Sequence, residues 1–409
     1  MRTMKDSGIE WIGDIPADWK TIKSKYCISI SNGTDPKTVG STPVYGSGAE
    51  SFKTCGEYKI GPAVLLGRKG ATLHIPHYIE GNYWNVDTAF DAIAFCGNIN
   101  LKFYYYCACV FDYAGYISQT TLPGMTKTNY NNMSIPFPPI EIQKRIANFL
   151  DEKCKLIDGI IAHQQEVIEK LKAYKLSVIT EAVTKGLNPD VPTKDNGVEW
   201  IGEIPDFWNV VPLKTCSDIL PGYAFSSDDF DTKNGTALLR GINVTPNGIR
   251  WEDVVYWNKP ITKQLQVFEL VAGDIVVGLD RPWVSGGTRV CWVTQKDLPA
   301  LLLQRVCRIR AKENIDNRWI YHWIASKSFQ EALSIETTGV SVPHISTKQI
   351  EQFSITLPPI EVQHQICDIL EATCGSIDNV VNKKQGIIDK LTEYKKSLIY
   401  EVVTGKKEV

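Results

Sequence analysis

The sequence lacks long hydrophobic runs, and it also lacks an excess of basic charge. No stretch approaches the roughly 18 uncharged apolar residues that a membrane-spanning helix needs, and the first residues lead directly into polar sequence. We therefore expect a cytoplasmic protein that makes no membrane contact. The 409 residues carry a formal net charge of −2, which excludes a protein that is basic throughout. If such a chain binds nucleic acid, its basic residues must be placed locally, or a partner must contribute phosphate contacts.

The signatures of catalysis and of metal binding are missing as well. The 11 cysteines include no CxxC pair, and the 6 histidines do not cluster at ligand spacing. There is no Walker A loop, and the PPI sequences at Pro138 and Pro358 lack the flanking residues of the [DN]PP[FYW] motif for amino-group methylation. Glu57-Tyr-Lys59 has the ExK form found in some nucleases, with Asp35 upstream, but the second half of the chain has no matching counterpart. We expect no catalytic residue, metal or cofactor in this chain.

What the chain does contain is two internal repeats, each with a constant offset. Residues 5–19 read KDSGIEWIGDIPADW and residues 194–208 read KDNGVEWIGEIPDFW, so ten of fifteen positions are identical at an offset of 189. We call these segments the tags. Residues 135–184 and 355–404 form a longer repeat at an offset of 220. The segments between them, roughly 20–134 and 209–354, differ in sequence. They predict one fold used twice with divergent loops.

The long repeats predict two long helices that pack against each other. Each begins after a proline pair and then contains no proline for more than forty residues, so each helix is about 60 Å long. Apolar residues recur at spacings of three and four at Ile146, Leu150, Ile157, Ile161, Ile168, Leu171 and Val178, and at Ile366, Leu370, Ile377, Val381, Ile388, Leu391 and Leu398. Because neither stripe can be buried alone, we expect an antiparallel pair with one domain at each end.

Two details of the helical frame carry further expectations. The apolar stripe is interrupted at Gln164 and at Lys384, which either fix the register of the pair or mark a slip in the pattern. Gly405–Val409 is a charged tail that we expect to be disordered. Both tags contain two tryptophans although the variable segments that follow them differ, so we expect these residues to pack against the helices rather than to contact a ligand. They are Trp11, Trp19, Trp200 and Trp208.

The tag pattern GIEWIGxIPxxW, the PPIExQ helix start and the helix endings EAVT and EVVT, in this order and twice over, resemble the specificity (S) subunits of type I restriction-modification systems. The resemblance covers the whole chain. It implies that each variable module is a target recognition domain that reads one half of a bipartite, asymmetric site in double-stranded DNA. It also implies that the helices set the unread spacer and bind two methyltransferase (M) subunits, to which motor-nuclease (R) subunits can be added. S-adenosylmethionine, ATP and magnesium would belong to those partners.

The expected fold is α+β, with two globular α/β target recognition domains separated by two long antiparallel coiled-coil helices and related by an internal pseudo-twofold repeat. The first recognition domain with its tag covers residues 1–134, and the first long helix covers 135–186. Residues 187–354 contain a linker, the second tag and the second recognition domain. Residues 355–409 form the second long helix and the tail.

Candidate DNA contacts are polar and basic side chains in loops or beside glycines, because such side chains read base edges whereas phosphate contacts only position the protein. In the first module the candidates are Asn32, Tyr45, Ser47, Arg68, Lys69, Gln119 and Lys127. In the second module they are Tyr223, Arg240, Asn243, Arg281, Trp283, Arg289, Ser341 and His344.

Several of these candidates have a structural alternative. Arg68 and Lys69, between two glycines, are the strongest pair, but a surface hairpin with solvated charges would have the same sequence. Trp283 either stacks at a base step or packs in the core, and His344 either contacts DNA or caps a loop.

Two other functions stay open. A stand-alone coiled-coil DNA-binding or scaffold protein would bind DNA tightly without methyltransferase partners. A nuclease or a fused methyltransferase would cleave or methylate DNA as the isolated chain.

Overall fold

The computed structural model describes residues 2–48, 50–117, 124–246, 248–284, 287–334 and 343–409. The chain divides into two compact units. Unit 1 comprises Met1–Gln165 and Gln385–Val409, and unit 2 comprises Glu166–Lys384. Each unit therefore contains one tag, one variable segment and part of each long helix.

The strands of unit 1 are β1 (Met4–Asp6), β2 (Asp14–Pro16), β3 (Lys20–Lys23), β4 (Ile28–Asn32), β5 (Thr42–Tyr45), β6 (Lys53–Cys55), β7 (Lys59–Ile60), β8 (Ala63–Gly67), β9 (His77–Ile79), β10 (Asn82–Asn85), β11 (Ala89–Ala94) and β12 (Ser134–Phe137). Its short helices are α1 (Leu101–Ala108) and α2 (Lys127–Asn132). The long helix α3 (Ile140–Lys185) begins in unit 1 and ends in unit 2.

The strands of unit 2 are β13 (Thr193–Asp195), β14 (Glu203–Pro205), β15 (Asn209–Pro212), β16 (Ser217–Pro221), β17 (Phe230–Asp231), β18 (Thr236–Leu239), β19 (Val244–Thr245), β20 (Gly248–Ile249), β21 (Val255–Trp257), β22 (Ile275–Gly278), β23 (Trp283–Val284), β24 (Gly287–Thr288), β25 (Val290–Trp292), β26 (Ala300–Leu302), β27 (Val306–Ala311) and β28 (Ser354–Leu357). Its short helices are α4 (Leu213–Cys216), α5 (Asn317–Ala325), α6 (Lys327–Ser334) and α7 (Thr347–Gln352). The second long helix, α8 (Ile360–Val403), begins in unit 2 and ends in unit 1.

The main sheets of the variable segments share one strand order despite their different sequences. The main sheet is β4-β11-β8-β9 in unit 1 and β16-β27-β22-β25 in unit 2, with antiparallel neighbours throughout. The second sheet is β6-β5-β10-β7 in unit 1 and β17-β21-β18-β26 in unit 2. In each case it contains one parallel pair, β5 with β10 and β18 with β26. The expectation of one fold used twice is confirmed for the main sheet and for this parallel pair. The second sheets differ in an outer strand, since β7 pairs with β10 in unit 1 and β17 pairs with β21 in unit 2.

The continuous apolar runs of the sequence form the strands with two buried faces. β8 (AVLLG) and β22 (IVVG) are buried at every residue, as a strand covered on both sides must be. The helix that follows each main sheet contributes to the same core as these strands. Phe103 of α1 shares a core with Val64, and Trp319 of α5 shares a core with Ile275.

Each tag is a β-hairpin whose last tryptophan packs at the end of a long helix. β1 pairs with β2, and β13 pairs with β14, in the same register at positions 189 residues apart. Trp19 and Trp208 are both 1% exposed. A Cβ added to Gly405, just after α8, would lie 2.9 Å from the ring of Trp19, and one added to Gly186, just after α3, would lie 3.1 Å from the ring of Trp208. These two tryptophans pack against the helical frame, as predicted.

The charged tail is ordered, contrary to our expectation. Gly405 is buried, Lys406 Nζ donates to the carbonyl oxygen of Ile12 at 2.9 Å, and the Lys407 amide donates to the carbonyl oxygen of Glu401 at 3.0 Å. The composition of the tail is typical of disorder, but the tag of unit 1 provides the partner of Lys406, and the last turn of α8 provides that of Lys407.

The two long helices pack antiparallel within each unit. With 46 and 44 residues, α3 and α8 are each between about 65 and 70 Å long. In unit 1, Lys395 Nζ lies 2.6 Å from the carboxylate of Asp158, and in unit 2, Lys175 Nζ lies 2.7 Å from the carboxylate of Asp378. These pairs are copies of each other at an offset of 220 in both partners. All of the predicted seam residues are buried or half-buried, and Gln164 and Lys384 are half-buried.

A buried glutamine joins each long helix to its globular part. Gln143 is fully buried, its Oε1 accepts the amide of Asn100 at 2.8 Å, and its Nε2 donates to the carbonyl oxygen of Pro138 at 2.8 Å. Gln363 repeats the arrangement with the amide of Asp316 at 3.0 Å and the carbonyl oxygen of Pro358 at 2.8 Å.

No helix in the described part of the chain has both the length and the apolarity that crossing a bilayer requires.

Candidate nucleic-acid interface

In the main sheet of unit 1, two strands end where the strand between them begins. β4 and β8 both end at the start of β11, so that Asn32 lies opposite Phe90 and Gly67 lies opposite Ala89. We call this end of the sheet, with the loops that leave it, the unit 1 edge. Most of the candidate residues of the first module lie here.

Backbone hydrogen bonds fix the loop that carries the strongest pair of candidates. The amides of Arg68 and Lys69 donate to the carbonyl oxygen of Thr88 at 2.8 and 3.4 Å. The amide of Met125 donates to the carbonyl oxygen of Arg68 at 2.9 Å, and Lys69 forms a β-bridge with Gly124. Two separate segments, at Thr88 and at Gly124–Met125, therefore bind the backbone of this loop.

The basic side chains of the unit 1 edge differ in exposure. Arg68 is half-buried, with Nη1 donating to the carbonyl oxygen of Asp87 at 3.2 Å and its guanidinium 5.8 Å from the ring centroid of Phe90. Lys69 is exposed, as is Lys127 in the first turn of α2. The edge thus presents cations to solvent on a rigid backbone.

A second loop brings a hydroxyl group to the same edge. The Ser47 hydroxyl accepts a hydrogen bond from the Thr72 hydroxyl at 3.5 Å, and a Cβ added to Gly70 would lie 3.2 Å from Ser47 Oγ. The carbonyl oxygen of Tyr45 accepts the amide of Val86 at 3.0 Å. Gly70 has φ +108°, a backbone conformation that residues with a side chain rarely adopt, so glycine suits the close approach of this loop to Ser47.

Unit 2 has an edge of the same construction. β16 and β22 end where β27 begins, so that Pro221 lies opposite Cys307 and Gly278 lies opposite Val306. We call this the unit 2 edge.

The hydrogen bonds of the unit 1 edge recur at the unit 2 edge. The amide of Leu279 donates to the carbonyl oxygen of Arg305 at 3.0 Å, and the amide of Ile345 donates to the carbonyl oxygen of Leu279 at 2.9 Å. Asp280 forms a β-bridge with His344, as Lys69 does with Gly124 in unit 1.

One backbone frame thus carries different side chains in the two units. Equivalent positions pair Arg68 with Leu279, Lys69 with Asp280, Gly70 with Arg281, Thr88 with Arg305, and Gly124 with His344. The surface chemistry of one edge is therefore not a copy of the other.

Four candidates of the second module lie at or near the unit 2 edge. One of them is His344, which is exposed and has its Nδ1 2.6 Å from Oδ1 of Asp280. Arg281 is exposed, with its amide donating to the carbonyl oxygen of Pro343 at 2.7 Å. Tyr223, which is 44% exposed, follows the end of β16, and its amide donates to the carbonyl oxygen of Leu302 at 3.0 Å. Trp283 is half-buried and packs against the core of unit 2, which is the structural alternative for this residue.

Three other candidates have their polar atoms engaged within the fold. Asn243 is 1% exposed, its Oδ1 accepts the amide of Arg240 at 3.0 Å, and its Nδ2 donates to the carbonyl oxygen of Arg250 at 2.8 Å. Arg289 donates from Nε to Val244 at 2.9 Å, and burial lowers the pKa of its guanidinium. Arg240 Nη2 donates to the carbonyl oxygen of Asp253. The side chains of Asn243, Arg240 and Arg289 thus make contacts within the fold, and a contact of any of them with DNA stays a prediction.

Two of the predicted candidates, Gln119 and Ser341, lie outside the described residues.

Two residues of the unit 2 edge, Asp280 and Arg305, were not among the predicted candidates. They form an ion pair in which Arg305 Nη1 lies 2.9 Å from Asp280 Oδ2. The only sequence signal for them was position, since each lies beside a strand of the main sheet.

The residues of the ExK sequence have separate roles in the fold. Glu57 accepts the backbone amide of Lys37 at 2.7 Å and that of Thr38 at 3.0 Å. Lys59 Nζ lies 3.2 Å from the buried carboxylate of Asp91. Within the described ranges, no group of three or more His, Cys, Asp or Glu residues is placed to hold a metal ion.

Comparisons with known proteins agree with this architecture of two edges on one frame. The family model for the type I restriction modification DNA specificity domain matches residues 16–170 and again residues 205–392. The chain is 33% identical over 288 residues to the specificity subunit of the type I restriction enzyme MjaVIII from Methanocaldococcus jannaschii, an alignment that covers 70% of this chain and 65% of that subunit. It is 31% identical over 220 residues to the EcoAI specificity subunit from Escherichia coli, covering 53% of this chain and 37% of that one.

A solved structure supports the fold alone. A chain from work on complex assembly and conformational transition of the type I R-M system superposes with a TM-score of 0.67 at 14% identity. The match covers 96% of this chain and 99% of that chain.

The duplicated frame with one recognition module in each half defines a specificity protein built from two target recognition domains. The chain belongs to the type I restriction-modification specificity (S) subunit family, as the sequence resemblance predicted. The S subunit is itself non-catalytic and carries no cofactor.

Proposed function

We propose that this chain reads a bipartite, asymmetric DNA site, with the unit 1 edge contacting one half-site and the unit 2 edge the other. The observation that carries the proposal is the shared backbone frame with unlike side chains at five equivalent positions. A conserved frame places both edges against the duplex in the same way. The different side chains then select different bases, since sequence is read through donors and acceptors at base edges.

The chemistry of each edge suits such reading. Unit 1 offers Arg68, Lys69 and the Ser47 hydroxyl, while unit 2 offers two arginines and a carboxylate. With a net charge of −2 for the whole chain, these local cations are its means of approaching a polyanion. The remaining phosphate contacts come, in this proposal, from partner subunits.

The long helices supply the other two parts of the proposed function. Because α3 and α8 are each shared by both units, their length sets the unread spacer between the half-sites. Their outer faces bind two methyltransferase (M) subunits, together with exposed parts of the tags. Those subunits bind S-adenosylmethionine, and restriction (R) subunits bind ATP and magnesium where they join the complex.

Exposed apolar side chains that recur at the offset of 220 support two equivalent docking surfaces. Ile160 and Val380 are 39% and 41% exposed, and Tyr174 and Tyr394 are 58% and 52% exposed. Ile160 and Tyr394 lie in unit 1, whereas Val380 and Tyr174 lie in unit 2. Apolar side chains kept exposed at matching places in both units fit two copies of one partner.

The test of half-site reading is a map of methylated bases in cells that express the chain with its M partners. The double variant Arg68→Ala, Lys69→Ala should relax the half-site read by unit 1 and leave the other half unchanged. Arg281→Ala should do the reverse. Lys172→Ala, which removes an exposed cation from α3, is the matched control and should change neither half.

A module exchange tests the same idea at larger scale. Replacing residues 20–134 with the corresponding segment of another family member should change one half of the recognised site only. A change in both halves would show that the two edges do not read independently.

The stand-alone alternative makes an opposite prediction. A coiled-coil DNA-binding or scaffold protein would bind one sequence tightly as the purified chain. In our proposal, sequence-specific binding requires the M subunits, so the purified chain alone should show at most weak, salt-sensitive binding.

A further inference from the structure

Two arginines of the unit 2 edge have a backbone conformation that non-glycine residues rarely adopt. Arg281 has φ +45° and Arg305 has φ +71°. The counterpart of Arg281 in unit 1 is Gly70, at φ +108°, where glycine avoids steric strain. A non-glycine residue in this region is destabilising, and such residues concentrate at functional sites. At this edge, arginine therefore occupies positions that stability alone would give to glycine.

The Arg305 side chain is held in place although it is exposed. Its Nη1 lies 3.1 Å from Oδ1 and 2.9 Å from Oδ2 of Asp280, and its side chain is 63% exposed. His344 Nδ1 contacts the same Oδ1 at 2.6 Å. The carboxylate is thus fixed by residues from two other segments, and it fixes the guanidinium in turn. The ion pair uses Nη1, and within the described residues Nη2 and Nε of this exposed side chain have no hydrogen-bond partner.

We propose that Arg305 reads a guanine in the half-site of unit 2, with Asp280 as the residue that positions it. This inference rests on the proposed function. A pre-oriented guanidinium matches the two acceptors, O6 and N7, that guanine presents in the major groove. The neighbouring carboxylate can accept from the amino group of a cytosine, so the pair suits a G·C base pair.

Charge argues for a base rather than a phosphate as the partner of Arg305. Asp280 offsets the charge of the guanidinium, and a phosphate contact would also bring a second anion beside that carboxylate. A base edge presents no such charge. The unit 1 edge has Lys69 and Thr88 at the equivalent positions, so this reading pair belongs to unit 2 alone.

The experiment maps methylated bases in cells that express the chain with its M partners. Arg305→Ala and Arg305→Lys should each relax one guanine position of the unit 2 half-site by roughly tenfold or more in relative methylation, because lysine cannot form the same planar fork. Asp280→Asn should relax the same position partially, and the unit 1 half-site should stay unchanged. Lys312→Ala removes an exposed cation just beyond the opposite end of β27 and should alter nothing.

The possible outcomes separate this inference from the proposed function. If wild-type chain with its partners yields no bipartite motif, the proposed function fails. If the motif exists and Arg305 variants lower methylation equally at all sites, Arg305 contacts phosphate and the inference is wrong. An unchanged motif, or a half-site without a guanine at the affected position, overturns it as well. Arg305→Gly guards against misfolding, because it should relax the motif while keeping or raising Tm.

Discussion

At the scale of single residues, the burial of an ionisable side chain has a direct consequence for stability. His322 of α5 is 5% exposed, and within the described part of the chain its Nδ1 has no hydrogen-bond partner. Desolvation, and then the positive charge of Arg318, lower the pKa of His322 from 6.5 to about 4. The folded chain therefore binds this proton more weakly than the unfolded chain does.

This lowered pKa predicts that acid destabilises unit 2. Between pH 6.5 and pH 4 the unfolded chain binds more protons at His322, so the free energy of unfolding falls as pH falls, by on the order of 3 kcal/mol. Thermal unfolding measured across this range should show a shallower pH dependence for His322→Gln than for the wild type. His364→Gln, at a half-exposed position, is the control. Parallel curves for His322→Gln and the wild type would contradict the prediction.

The position of a residue at a strand end could be predicted from the sequence, whereas the partner of its side chain could not. Arg68 and Lys69 were placed correctly at a strand end, because glycines mark that turn. Asn243 and Arg289 had the same kind of sequence context, yet their side chains bind backbone within the fold. Asp280 and Arg305 were missed because they are 25 residues apart and meet only when β22 pairs with β27.

At the scale of elements, the ends of the long helices carry the closest contacts of the tags. Gly405 has φ +73°, and a Cβ there would lie 2.6 Å from the ring of Pro16 and 2.9 Å from the ring of Trp19. Gly375, within α8, has open space around it. Gly405, just after α8, is therefore tightly enclosed, whereas Gly375, within α8, has room for a side chain.

This contrast predicts opposite effects of one substitution. Gly405→Ala should lower the stability of unit 1 by roughly 1–3 kcal/mol, because the added methyl group forces the tag away from the helix end. Gly375→Ala should raise stability by about 0.5–1 kcal/mol, because alanine is the better helix former. Differential scanning calorimetry of both variants measures the two shifts. A lower Tm for Gly375→Ala would show that this glycine has a packing role.

Element prediction was most successful for the helical frame. The proline pairs and the apolar spacing predicted both long helices and their antiparallel pairing, which the repeated contacts of Lys395 with Asp158 and of Lys175 with Asp378 confirm. The order of strands in the sheets was beyond reach, because short strands with divergent loops leave pairing undetermined in the sequence. The ordered conformation of the charged tail was not predicted for a related reason, because it depends on contacts with the tag, which is distant in sequence.

At the scale of the whole molecule, the proposed function assigns two roles to the internal repeat, the docking of two M subunits and the recognition of two half-sites. If the two docking surfaces are equivalent, the double variant Ile160→Ser, Tyr394→Ser should remove one M subunit, and Val380→Ser, Tyr174→Ser should also remove one. Native mass spectrometry of the assembled complex should then show one bound M subunit instead of two in each case. Tyr58→Ser, at an exposed aromatic position of unit 1 outside the long helices and the tags, is the matched control. Loss of both M subunits from either variant would mean that docking is not divided between the units.

The length of the shared helices predicts the spacing of the recognised half-sites. Deleting residues 162–165 and 382–385 together removes about one turn from each helix, so both lose about 6 Å while the apolar stripes keep nearly the same face. With roughly 3.4 Å per base pair, the unread gap should shorten by one or two pairs, and both half-sites should keep their sequence. The methylation map of this variant measures the gap directly. Replacing residues 163–165 with alanine keeps the length and should keep the gap. If the deletion instead changed the half-sites, or left the gap as it was, the helices would not be what sets the spacing, and the unread interval would have to be fixed by the partner subunits.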